Sequence, residues 1–262
     1  MMILTSASQL NYTPKKIISL VPSQTELLYA LGLEEETIGI TKFCIHPNQW
    51  YRNKIRVGGT KTIDIQIITS LQPDLIIANK EENMKEQVEE LAKSFNVWLT
   101  DVNNFEDSCK MIKDIGLITN KIEESSFIIS QIKFQFQSIQ FWAEIPAAYL
   151  IWKNPYMTIG GDTFINDMLL KAGFKNVFAM QKRYPQVSVE QIKNSGTKVL
   201  LLSSEPFPFK QKHIDELQDE LPGTIIKLVD GELFSWYGSR LLHSPAYFIK
   251  LRTEIEELLH IK

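Results

Sequence analysis

Residues 64–81, DIQIITSLQPDLIIANKE, lie without a gap on residues 188–205, SVEQIKNSGTKVLLLSSE. In each copy a side chain able to cap a helix, Asp64 or Ser188, opens a short helix and a turn follows. An apolar run then makes a buried strand, and small or polar residues lead to Glu81 or Glu205. A second pair supports the duplication. Pro22-Ser23-Gln24-Thr25-Glu26 runs into an apolar helix stopped at Gly32, and Gly161-Asp162-Thr163 into one stopped at Gly173. Glycine just past a helix supplies the left-handed turn that ends it.

Working outward, short apolar runs alternate with helical patterns. They are Ile17–Val21, Thr37–Thr41, Leu75–Ala78 and Val97–Thr100, then Ala148–Trp152, Val199–Ser203 and Ile225–Val229. Buried strands alternating with helices predict parallel sheets and an α/β class. Midway, Asn120 with Glu123 three positions on reads as a helix start. Ile122, Ile129, Ile132, Phe136 and Ile139 continue the period until Pro146. Some 23 residues at 1.5 Å each would make a helix of about 35 Å. The expected organisation is an N-terminal α/β lobe over 1–119, a bridging helix over 120–145 and a C-terminal α/β lobe over 146–262. Two such lobes would leave a cleft lined by the loops after the strand C-termini.

Composition narrows the function classes. The 262 residues carry 28 Lys plus Arg against 31 Asp plus Glu, and 44% are hydrophobic. That is ordinary for a folded globular protein. The near balance leaves no basic stripe for a phosphate backbone, so nucleic acid is not an expected partner. Cys44 and Cys109 lack CxxC spacing and read as free thiols. Met1–Pro14 has no basic residue ahead of an apolar run, and no stretch reaches membrane-spanning length. Read as it stands, the chain is expected to be cytosolic and not embedded in a membrane; with a leader it would be periplasmic or lipid-anchored.

IISLVPSQTELLYALGL with VGGTKTIDIQIITSLQPDLIIANKEEN resembles the first lobe of the ABC-transporter solute-binding proteins for iron chelates and vitamin B12, the helical-backbone class of the TroA-like superfamily. MTIGGDTFINDMLLKAGFKNVF with RYPQVSVEQI resembles the second lobe. The likeness runs from about Ile17 to Leu259 and is closest to the cobalamin-binding branch. It implies two α/β lobes bridged by a helix and a metal chelate held between them without chemistry. It also implies docking on an ABC permease through a glutamate on each lobe. Glu190 fits that position in the second lobe, whereas the first has Gln66. A neutral amide there should weaken docking.

Aromatic residues gather after the expected strands: Trp50 and Tyr51, Trp152 and Tyr156, Phe207 and Phe209, Trp236 and Tyr237. Rings at a cleft suit a flat macrocycle with polar arms, a corrinoid or haem-like ligand. Trp236 and Tyr237 stand out because Ser235 and Gly238 mark a turn, where rings are harder to bury. Polar partners would be Ser23 and Gln24 at a helix N-terminus, Gly58-Gly59-Thr60-Lys61 with open backbone N–H groups, and Asn79 to Asn83, with Glu81 and Glu205. Lys61, Lys80 and Arg240 could pair with anionic arms. Among the histidines only His46, beside Cys44, falls where the cleft should be and could ligate a metal; His213, His243 and His260 read as solvated. No GxSxG, HExxH or GxGxxG occurs.

The expected function is therefore non-catalytic binding of a metal chelate, most of all a corrinoid such as cobalamin, for an ABC importer. No cofactor is required, since the cobalamin or iron chelate is cargo. Two alternatives stand beside it: a cytosolic corrinoid or iron-chelate carrier or sensor, and a metal-dependent enzyme using Cys44, His46, Glu81 and Glu82.

Overall fold

A computed structural model describes residues 2–140 and 143–261. In chain order the first elements are β1 (Ile3–Leu4), β2 (Ile17–Ser19), α1 (Pro22–Ala30), β3 (Thr37–Ile40), α2 (Asn48–Asn53), β4 (Ile55–Arg56), α3 (Ile65–Leu71), β5 (Leu75–Asn79), α4 (Lys85–Ala92), β6 (Val97–Thr100), α5 (Phe105–Ile118) and α6 (Ile122–Gln137). There follow β7 (Ile145–Leu150), α7 (Phe164–Lys171), β8 (Phe174–Asn176), α8 (Val189–Asn194), β9 (Val199–Ser203), α9 (Gln211–Glu220), β10 (Ile225–Val229), α10 (Glu232–Ser235) and α11 (Ser244–Ile261).

The chain forms two compact units. The first takes the residues up to Val102, then Glu106–Ile132 and Trp236–Arg240; the second takes Asn103–Phe105, Lys133–Ser235 and the residues from Leu241. The first unit holds a sheet in the order β1-β6-β5-β2-β3-β4, the second one in the order β10-β9-β7-β8. Every pairing in both is parallel. As the apolar runs predict, parallel strands are buried on both faces: β5 and β9 are buried along their whole length. Ile18, Ile76, Ala78, Val88, Leu91 and Val97 share one core cluster. Ala148, Leu150, Ile192, Leu200, Leu202 and Leu217 share the other.

The repeat is structural. The order β6-β5-β2-β3 in one sheet matches β10-β9-β7-β8 in the other, strand for strand along the chain. Asp64 Oδ1 accepts the Ile67 N–H at 3.0 Å and Ser188 Oγ the Gln191 N–H at 3.1 Å, so both short helices carry the expected caps. Gly32 and Gly173 both have positive φ, 71° and 78°. Each therefore supplies the left-handed turn just past its helix.

The middle of the chain differs from expectation. Asn120 does not open α6; at φ 57° it closes α5. The Asn120 N–H bonds to the Leu117 carbonyl at 3.4 Å and the Lys121 N–H to Gly116 at 2.7 Å, the paired bonds of a Schellman stop. Asparagine tolerates the left-handed region, so one side chain type serves as start or stop. The helix itself has 16 residues, about 24 Å, and ends at Gln137. Pro146 lies inside β7 rather than ending a helix. Phe141 and Trp142, within the expected bridging helix, lie outside the described residues, as does the side chain of His260. The expected lobe ranges change as well, because Trp236–Arg240 packs in the first unit while both flanking segments pack in the second.

The α5–α6 contact has a sharp test. A Cβ on Gly116 would stand 2.0 Å from Ser125 Oγ and 2.9 Å from the Lys121 carbonyl. Gly116→Ala is therefore expected to cost about 1–3 kcal/mol through overpacking. A denaturant midpoint equal to that of the wild type would show that the two helices separate cheaply.

Candidate ligand-binding site

In an open parallel sheet, ligands bind outside the strand C-termini where chain order reverses. In the first unit that point falls between β2 and β5, and in the second between β7 and β9. The loops that matter are 20–23 with 79–83, and 151–157 with 204–209.

At the first unit's reversal point the predicted polar residues are present but largely committed to one another. Asn79 Oδ1 accepts the Glu81 N–H at 2.8 Å, and its amide donates to Thr100 Oγ1 at 3.1 Å. Asn83 Oδ1 accepts the Asn79 N–H at 2.9 Å, and its amide donates to the Thr60 carbonyl at 3.0 Å. Lys61 Nζ donates to the Glu81 carbonyl, and Lys80 pairs with Asp101 at 2.6 Å. Gly59 gives its N–H to the Thr62 carbonyl at 2.9 Å, so that N–H is not open as expected. Ser23 and Gln24 are buried at the start of α1. Gln24 Nε2 donates to Thr100 Oγ1 at 2.6 Å, and its Oε1 is buried without a partner.

Trp236 and Tyr237, expected as exposed rings, are 7% and 6% exposed. The reason is the crossing of residues 236–240 into the first unit, where the turn that should leave rings in solvent is itself packed. Trp236 meets the His46 ring edge-on at 5.6 Å, and the Arg240 guanidinium lies 5.0 Å over its indole. Gln24 Nε2 donates to the Tyr237 hydroxyl at 3.5 Å, and burial pushes that phenol well above its ordinary pKa, so it stays protonated. The Gly238 N–H donates to Ser108 Oγ at 3.1 Å, and Arg240 Nε pairs with Glu26 at 2.9 Å. Trp50 is another correction: fully buried, it packs edge-on to Tyr29 at 5.4 Å and offers no ring surface to a ligand.

Cys44 is a free, buried thiol near the Thr25 and Thr41 hydroxyls at 3.1 and 3.2 Å, and burial raises its pKa. Among the described residues no three of His, Cys, Asp and Glu come together as a metal group. Phe43 and Ile45, on either side of Cys44, are 50% and 43% exposed and were missed. They lie in a turn after β3, where the Cys44 N–H bonds to the Thr41 carbonyl and the Ile45 N–H to that of Phe43.

The second unit's reversal point is different in kind, because an exposed ring stands there on a partly buried aromatic cluster. Trp152, just past β7, is 41% exposed and meets Phe207, past β9, edge to face at 5.8 Å. Phe209 stands behind Phe207 at 4.8 Å, and Tyr156 is half-buried against the same cluster. Glu205 Oε1 accepts the Ser235 hydroxyl at 2.5 Å. His213, expected in solvent, is buried in this cluster, 5.4 Å from Phe207 and 5.5 Å from Phe209. His243 is exposed. On the short repeated helices, Gln66 and Glu190 are both exposed in the first turn, and Glu190 accepts the Asn194 amide at 2.9 Å.

Two duplicated units, each with a parallel sheet and a chain-order reversal, define a two-unit α/β protein. The chain belongs to the periplasmic binding protein family, which it matches over residues 17–223. An uncharacterised ABC transporter substrate-binding lipoprotein of Bacillus subtilis is 29% identical over 192 residues, 68% of this chain and 60% of that protein. The vitamin B12-binding protein of Vibrio campbellii is 26% identical over 208 residues, 77% of this chain and 75% of that one. In fold, the periplasmic haem-binding protein of Roseiflexus sp. RS-1 superposes with a TM-score of 0.78 at 16% identity, over 92% of this chain and 98% of that one. Among the described residues no helix is long and apolar enough to cross a membrane.

Proposed function

We propose that this protein is the solute-binding component of an ABC importer and holds a metal chelate with a flat macrocycle, cobalamin before haem, without transforming it. The observation that carries the reading is the exposed Trp152 ring, backed by the partly buried Phe207, at the second unit's reversal point. An apolar ring step with Tyr156 packed against the same cluster suits a macrocycle bearing polar arms. Relatives named for vitamin B12 over three quarters of the chain put a corrinoid first. Role and compartment go together, so the proposed location is outside the cytoplasmic membrane, in place of the cytosolic one expected from the N-terminal residues. Titration with cyanocobalamin, haemin and a ferric siderophore, followed by quenching of tryptophan fluorescence, tests the ligand. No quenching by any of the three would sink the reading.

Glu190 is proposed as a permease contact. Glu190→Ala is expected to weaken association with the cognate permease about two- to fivefold, as suits an exposed charge pair of up to about 1 kcal/mol, with chelate affinity unchanged. Equal permease binding by the variant would remove the contact. The neutral Gln66 at the matching position favours a second reading, a carrier or sensor with no permease. Co-purification with a permease from membranes would count against that.

A further inference from the structure

We propose that His213 is a positioning residue for the Trp152–Phe207 shelf, and that protonating its Nδ1 loosens the shelf and lowers its affinity for a flat ligand in acid. The inference rests on the ligand reading above for its second half; the first half stands on geometry alone.

His213 is the third residue of α9, and its Nδ1 accepts the Lys210 backbone N–H at 2.9 Å. An acceptor at Nδ1 places the ring proton on Nε2 in the neutral form. The imidazole therefore ties off a free N–H at the start of α9 while its ring packs against both Phe207 and Phe209. Phe207 in turn carries Trp152. One side chain thus fixes both the helix start and the tilt of the ring the ligand would meet.

The only nitrogen left to take a second proton is the one already accepting that bond. Protonation would set two donors face to face at the helix start and bury a charge against the aromatic cluster. The charged groups around it are mostly of the same sign: Lys153 from the loop after β7, and Lys210 and Lys212 at the start of α9, against Glu216 one turn on. Lys153 and Glu216 are themselves ion-paired. Burial, then Lys153, holds the imidazole below its ordinary pKa. The sign follows. The unfolded chain takes up the proton first, so native stability is complete above about pH 6.5 and falls as pH drops toward the lowered native value.

If the shelf binds only with His213 neutral, the apparent dissociation constant is divided by the neutral fraction. It should be flat near neutrality and rise toward tenfold per pH unit below the native pKa. The test is cyanocobalamin titration from about pH 8 to pH 4.5 on the wild type, His213→Gln and His213→Phe. Glutamine at this helix position can still accept the Lys210 N–H but does not titrate. It should lose the acid limb while keeping binding at neutral pH to within a fewfold. Phenylalanine keeps the ring and loses the acceptor, and should also be flat. An acid limb in His213→Gln that overlays the wild type would overturn the proposal, whereas a uniform loss at every pH would show a merely structural role and overturn it equally.

Failure of the ligand reading shows separately, as absent quenching in the wild type at pH 7.5. The His213 half is then read without ligand. Nitrogen-15 NMR of the imidazole should show the Nε2–H tautomer titrating below pH 6.5, and the wild type should lose melting temperature relative to His213→Gln below that pH. Titration at or above pH 6.5, or parallel melting profiles, would overturn it.

Discussion

Trp152→Ala is expected to raise the dissociation constant for cyanocobalamin roughly ten- to a hundredfold. The indole leaves 41% of its surface in solvent in the free protein. Covering it with a ligand face is worth about 1.5–3 kcal/mol, the range for an aromatic anchor, and every 1.4 kcal/mol is tenfold. The loss should fall on binding rather than folding, because Trp152 sits at the edge of the second core and its carbonyl still accepts the Met157 N–H. Phe207→Ala should give a smaller loss, and the double variant less than the product of the two, since the rings touch at 5.8 Å. Both constants unchanged, measured by calorimetry so that the lost indole does not bias the readout, would remove the shelf from the site.

The second large effect concerns stability. Arg240 and Glu26 form an ion pair at 2.9 Å with side chains 13% and 19% exposed, and the guanidinium also covers Trp236. Removing one partner of a mostly buried pair leaves the other charge desolvated, at a cost of about 3 kcal/mol. Arg240→Met should therefore lower the melting temperature by roughly 6–12 °C. Glu26→Gln combined with Arg240→Met should recover part of the loss, because it deletes both charges and keeps similar volumes. If the double variant is as unstable as the worse single one, the pair matters for its shape and not its charge.

The fold was legible where local and global preferences agree. β6, β9 and β10 fall on their predicted ranges, because each is a short, mostly apolar run of β-favouring residues, β9 buried along its whole length. β1, β4 and β8 were missed: at two or three residues each, they owe their existence to pairing with a neighbour and not to their own pattern. The site was less legible. Trp152 and Tyr156 pack with Phe207 as their place after β7 and β9 suggests, but Trp236 and Tyr237 do not remain in solvent. A turn signal reads only neighbours in sequence, whereas these rings meet His46 and Gln24 from the other end of the chain. His213 was hidden for a related reason. Its neighbours Lys210, Lys212 and Asp215 are polar, while its own ring turns inward against two phenylalanines.

The crossing of Trp236–Arg240 into the first unit also has a consequence for biosynthesis. Domains generally fold as units, N-terminal first, as they leave the ribosome. Here the N-terminal unit still lacks its Tyr237, Gly238 and Arg240 contacts when its own sheet has been made, and Gln24, Ser108 and Glu26 wait for them. A nascent chain released before residue 240 would therefore leave an unfinished first unit exposed to chaperones and proteases, however well its strands had paired.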